Sequence, residues 1–337
     1  GSGTLAGTFA IFFSGLIVVG AGQGVVFQNR LAVADLYPPE RRGQGLALFM
    51  SVSVVGVLAS PLLLNLSAQY AIFWGLNLYA VPWFFSAGIL GAGLVTTLLV
   101  KPDPRDISEN LEKYYPDYRP PKVTQLKVEN EKGANAPIKI TTILGIFPIL
   151  VALAVSASAQ GIMTMLMGLT SVYLTLHAVH IELVSLALAI HTIGMFGLSI
   201  PFGKITDRYG RKKVLLISLG FSTIGSILTP ATTDFLIITL GIFLIGLGWS
   251  AAIVASTSVI ADVLSPRQRG KGIGINDLAI GATAVLFPML GGIIFETSGF
   301  LTLGLVSLIA IVPALILVVL LKETRPGVYA HPTQTTP

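Results

Sequence analysis

Apolar stretches of about 20 residues, long enough to cross a bilayer as helix, recur along this chain from one end to the other. A backbone in hydrocarbon must satisfy its own hydrogen bonds, so a repeated pattern of this kind folds as a bundle of transmembrane helices. A cleaved leader would give one short apolar run near the start, and no such signal peptide is read there. The mean hydropathy of +0.81, with 53% hydrophobic and 11% charged residues, is far from that of a water-soluble domain.

Hydropathy and turn punctuation place nine spans at about 8–34, 45–69, 77–100, 143–173, 182–203, 212–229, 235–261, 271–295 and 300–321. Segment 143–173 exceeds one crossing, and Pro148 marks its start or a kink. The alternate connections 36–44, 101–142, 204–211, 262–270 and the C-terminal tail carry, in or beside them, every Lys and Arg except Arg30. The connections 70–76, 174–181, 230–234 and 296–299 carry none. By the positive-inside rule the first set, and the C-terminus with it, is expected in the cytoplasm, with the chain spanning the cell's inner membrane. The net charge of +5 is therefore a topology signal, and no nucleic-acid partner is expected. The absence of cysteine excludes disulfides and thiolate metal sites.

The chain also repeats itself. Residues 34–45 (ADLYPPERRGQG) and 261–272 (ADVLSPRQRGKG) share Ala, Asp, Pro, Arg, Gly and Gly at an offset of 227, and Pro61 matches Pro288 on the same register. Each copy closes one helix and opens the next, and the charges Asp35, Arg42, Asp262 and Arg269 can pair across their loops. Two related halves are the reading that one register of seven identities supports.

The segment Gly203-Lys204-Ile205-Thr206-Asp207-Arg208-Tyr209-Gly210-Arg211-Lys212-Lys213 resembles the signature loop G-x-L-x-D-R-x-G-R-K/R-x of the major facilitator superfamily, departing only at Ile205. Physically, Gly203 and Gly210 permit a tight turn, and Asp207 can cap the incoming helix or pair with Arg211. Arg208, Lys212 and Lys213 can anchor to anionic headgroups. The superfamily carries this loop after the second helix of each six-helix half, and the Asp-x-x-x-Pro-x-x-Arg-Gly loop after the fourth.

The resemblance implies an all-α fold of twelve helices in two bundles, of which about nine are legible here. On that reading residues 1–100 are a partial first bundle, 101–142 a linker, 143–321 a complete second bundle and 322–337 a tail. Only one span precedes Asp35 whereas four precede or end at Asp262, so roughly 85 to 90 residues, three helices, are expected to be missing ahead of residue 1. The linker reads as a solvated tether with a short amphipathic helix around Ile107 to Tyr115.

The resemblance further implies secondary active transport of a small solute by alternating access. It places the cavity on helices 8–34, 143–173 and 235–261. Their polar residues are the substrate candidates: Gln23, Gln28, Asn29, Ser156, Ser158, Gln160, Thr164, Trp249, Ser250 and Ser256, with Gln23, Gln160 and Trp249 nearest mid-span. Each Ser or Thr can equally bond back to its own helix, whereas a buried amide or indole needs a partner. His191 and Asp277, the titratable groups well inside spans, are the candidates for coupling to protons. Met163, Met165, Met167 and Met195 read as core filler in preference to a soft-metal site.

Departures from the drug/proton antiporters of the family are that residues 5–29 hold no arginine and that Ser60-Pro61-Leu62-Leu63-Leu64-Asn65 stands where a Gly-Pro-x-x-Gly-Gly run is usual. The other half does show Pro288-Met289-Leu290-Gly291-Gly292. No Gly-x-x-x-x-Gly-Lys-Ser/Thr loop is present, so neither nucleotide nor other cofactor is implied, and paired acids at a membrane face, as an enzyme would need, are missing. Proton-coupled efflux is the leading expectation; uptake, or an inactive truncated remnant, are the alternatives.

Overall fold

The computed structural model describes residues 9–15, 17–20, 22, 33, 36–38, 41–77, 80–118 and 140–324. Among them every regular element is helical: α1 Arg42–Phe73, α2 Val81–Leu99, α3 Pro104–Glu109, α4 Leu111–Tyr114, α5 Ile140–Leu144 and α6 Phe147–Leu176. The chain continues through α7 Ile181–Phe196, α8 Ser199–Tyr209, α9 Arg211–Leu228, α10 Phe235–Val263, α11 Pro266–Ser298 and α12 Phe300–Leu320.

At the centre lies α10. Asp234 caps it, its carboxylate accepting from the backbone of Leu236 and Ile237 at 2.9 and 3.0 Å. Small residues such as Ala251, Ala252, Ala255, Ser256 and Ser258 are fully buried along it, which lets α6, α7, α8 and α9 approach closely. Its apolar window is 78% buried inside the protein, against 6% for that of α11, whose Leu278, Val285, Met289 and Ile293 face outward. A helix of this length, apolar and exposed in this way, is one that can cross a membrane.

Pro148 lies in the first turn of α6, where a missing N–H costs nothing, so the crossing begins at Phe147 and the preceding residues form the separate helix α5. The expected span 182–203 is divided: α7 ends at Phe196, Gly197 and Leu198 form a turn, and α8 resumes at Ser199. The helix expected at 107–115 is likewise two, α3 and α4, broken at Asn110, whose side-chain amide bonds back to the Asp106 carbonyl at 2.9 Å.

Helix α1 packs on α8, α7 and α10, and Met50 joins the buried core formed by residues from Ile143 onward. Ser51 Oγ donates to the Phe196 carbonyl at 3.2 Å, beside the α7/α8 turn.

Candidate functional site

The charged residues gather at one end of the bundle. Helix α1 begins without a capping side chain of its own, and its first turn has no acidic residue. Its cap comes from 164 residues away: Asp207 on α8 accepts from Gly43 N at 3.1 Å and from Gln44 N at 3.0 Å, one carboxylate oxygen each. A carboxylate on two orphan donors of a helix N-terminus is both a hydrogen-bonded and a dipole contact.

Two glycines make the reach possible. A Cβ on Gly43 would stand 2.8 Å from both the Asp207 carboxylate and the Gly203 carbonyl, and one on Gly203 would run into the Gly43 carbonyl and the Ala47 methyl. The backbones of α1 and α8 therefore touch where these two residues meet.

Arg211 lies behind Asp207 and is fully buried. Its Nε donates to Asp262 at 2.8 Å, and its Nη1 donates to the Thr206 carbonyl at 2.9 Å and to Asp207 at 3.3 Å. One guanidinium thus joins the signature loop to the aspartate of the repeat, the division of donors that a planar five-donor fork allows.

Helix α9 also starts uncapped, at Gly210 with φ +102°. Glu323, beyond the end of α12, accepts from Arg211 N at 2.8 Å and Lys212 N at 3.2 Å, and a Cβ on Gly210 would collide with that carboxylate. Of the two roles the loop's sequence allows Asp207, the structure shows the pair with Arg211, and the incoming helix is capped by Glu323. Lys212 Nζ donates to the Val319 carbonyl at 2.7 Å, tying the start of α9 to the end of α12. Arg269 closes the far end of α10, its Nε donating to the carbonyls of Ala261 at 2.9 Å and Leu264 at 3.2 Å. Asp35 and the side chain of Arg42 lie outside the described residues, while Arg208 is exposed.

The middle of the bundle holds a second, uncharged group. Trp249 Nε1 donates to Gln160 Oε1 at 2.7 Å, joining α10 to α6, with both side chains buried. Phe196 packs edge-on against the indole. The neighbouring Ser250 shares a 2.9 Å hydrogen bond with Ser199, the first residue of α8. Ser156 donates within α6 to Ala152 O at 2.6 Å and lies 2.5 Å from Asn276 Oδ1 on α11. Thr164 bonds back to the Gln160 carbonyl at 2.9 Å, as a hydroxyl inside a helix commonly does. Ser158 reaches the Ala310 carbonyl at 3.2 Å, and buried Ser256 has no side-chain partner among the described residues.

His191 is fully buried between α7 and α10, Nδ1 2.6 Å from the Ile242 carbonyl, and Nε2 has no partner among the described residues. Asp277, half-buried, follows Asn276 on α11. Gln23, Gln28 and Asn29 lie outside the described residues.

Sequence reasoning overlooked Glu323, Ser199 and the backbone donors of Gly43 and Gln44. Gly43 alone carried a signal, through its repeat partner Gly270.

A polytopic helical bundle, crossed by a buried charge network at one end and a neutral polar row at mid-depth, is the architecture of a membrane transporter. The chain belongs to the Major Facilitator Superfamily, whose profile matches residues 149–336. It is 26% identical over 305 residues to the MFS-type transporter YdeG of Bacillus subtilis, covering 89% of this chain and 67% of that protein. It is 29% identical over 182 residues to the multidrug resistance protein MdtL of Klebsiella pneumoniae, covering 53% and 45%. In fold it is similar to the proton:xylose symporter XylE, with a TM-score of 0.62 at 15% identity over 88% of this chain and 67% of that one. Family and fold are those of transporters that act on small molecules in a membrane, not of enzymes.

Proposed function

We propose that the protein carries out proton-coupled efflux of a small organic solute by alternating access, with its charged end in the cytoplasm and the Asp207 contact as the latch that closes that end. The observation that carries this reading is the cap in trans. A carboxylate on the second half satisfies the N-terminus of a helix from the first, so separating the halves exposes the Gly43 and Gln44 amides together with Asp207. Arg211, tied in turn to Asp262, holds that carboxylate in place, and Gly203 gives α1 its close approach; Gly210, Arg269, Arg208, Asp35 and Arg42 are assigned to the same latch.

Substrate contact is assigned to the mid-bundle row, Gln160, Trp249, Ser250 and Thr164, and to Gln23, Gln28 and Asn29 of the expected span 8–34. An amide already bonded to an indole can exchange that partner for a solute's polar group at small net cost. His191 and Asp277 are assigned to proton coupling, because an unpaired imidazole nitrogen and a half-buried acid are the places where a proton's arrival changes charge inside the span. Efflux is preferred to uptake because relatives such as MdtL bear the name of multidrug resistance proteins.

The test uses proteoliposomes of the full chain with an imposed pH gradient, reading ethidium movement and a lumenal pH dye together. Gradient-driven ethidium movement with matching proton flux is expected. Asp207→Asn should slow it several-fold while membrane abundance is unchanged. Equal rates for the two proteins would sink the latch, and ethidium movement without proton flux would sink the coupling.

A further inference from the structure

The exposed flank of α8 carries a feature beyond the Asp207 contact. Asp207 turns inward to α1, while Lys204 and Arg208, one helical turn apart on the flank beside it, are exposed. Between them lies a groove of about 330 Å³ whose floor is Ile200, Pro201 and Ile205 and whose end is closed by Tyr209. The Tyr209 ring gathers cations: the Arg208 guanidinium carbon stands 5.3 Å from its centroid and Lys213 Nζ 5.9 Å. Among the described residues no acidic side chain lines the groove. The whole feature lies at the end of an apolar stretch, Leu183–Tyr209, long enough to cross a membrane.

Two chemistries thus meet in one cleft, a paired cationic rim at the membrane surface and an apolar floor running towards its interior. A free phosphate would use the rim and leave the floor wet, and an acidic peptide would match the rim but not an apolar floor. A phosphodiester carrying acyl chains matches both. We infer that the groove on the exposed flank of α8 binds one anionic phospholipid, its phosphate on Lys204 and Arg208 and an acyl chain over Ile200 and Pro201. The bound lipid holds the exposed flank of the helix that caps α1, so membrane composition acts on the closed state through α8.

The experiment is native mass spectrometry of the purified full chain offered phosphatidylglycerol and phosphatidylcholine in equal amounts. One phosphatidylglycerol is expected to be retained with about tenfold preference. K204Q/R208Q should abolish that preference, whereas K101Q/K113Q, which removes two exposed positive charges elsewhere, should keep it. Ile200→Gln, with both cations intact, should weaken lipid binding, and provides the test if the double variant does not fold by thermal melting. Equal retention of the two lipids, or equal loss in both double variants, overturns the inference. So does displacement of the lipid by millimolar inorganic phosphate, which marks a free-anion site, or unchanged binding in Ile200→Gln.

Discussion

The two polar regions of this bundle solve the same problem in opposite ways. At the charged end, Asp207, Arg211, Asp262 and Glu323 form a network in which one guanidinium serves two carboxylates and two helix N-termini are capped from elsewhere in the chain. At mid-depth, Gln160 with Trp249 and Ser156 with Asn276 form small neutral pairs that each tie two helices together. A buried charge left alone costs several kcal/mol, so the first region is stable only when complete. A neutral pair that loses a partner forfeits about 1 kcal/mol net and can be remade with another molecule. The charged network suits a state that must be either closed or open, and the neutral pairs suit a place where partners change.

The sharpest way to break this contrast is Arg211→Met. It takes from Asp207 and Asp262 the guanidinium that serves both in a buried setting and should cost about 3–5 kcal/mol, read as a large drop in melting temperature in detergent. A drop no larger than that from a mid-bundle substitution would mean the charged end is wet and loosely built. Next is Gly203→Leu, which forces α1 and α8 apart. A cysteine pair introduced at Gln44 and Thr206 should then lose most of its cross-linking while the protein stays folded, as judged by an unchanged elution volume. Trp249→Phe should have a moderate effect, since it removes the donor to Gln160 and leaves a buried carbonyl short of a partner, at about 1–2 kcal/mol. Under the proposed role it also raises the half-saturating ethidium concentration more than it lowers the maximal rate. An unaltered half-saturation would confine Trp249 to packing. The smallest effect is expected for Glu323→Gln, which keeps the hydrogen bonds to Arg211 N and Lys212 N but removes the charge at the α9 N-terminus, at about 0.5–1 kcal/mol in a thermal melt.

The same contrast decides what could be read in advance. Apolar runs punctuated by Asp234 and by the Gly210 turn place α9 and α10 within a residue or two of the expected spans, because lipid imposes one length and one pattern. The α7/α8 break had a signal that the hydropathy reading passed over: Pro201, in the first turn of α8, has no N–H to give the Gly197 carbonyl, so a helix continued through Gly197 would lose that bond. The signature loop identifies Gly203, Asp207, Gly210 and Arg211 as a group. It does not name their partners, since a backbone N–H has no side chain to mark it and a capping acid such as Glu323 is ordinarily sought in a helix's own first turn. Gln160 and Trp249 stand out as polar groups in hydrocarbon, whereas Ser199 is too small to attract notice before Ser250 is seen beside it.

The contact between Gly203 and Gly43 has a consequence for how the closed state is defined. Most helix interfaces rest on side chains that can rotate and so settle into a family of nearly equivalent positions. Here backbone meets backbone, with only the Ala47 methyl beside it and no side-chain rotamer between the two glycines to adjust. The approach therefore has one end point, reached or not reached, and the geometry of the Asp207 cap inherits that precision. A mechanical engineer would call it a hard stop: it sets the position of closure without setting its strength, so the two can be tuned by different residues.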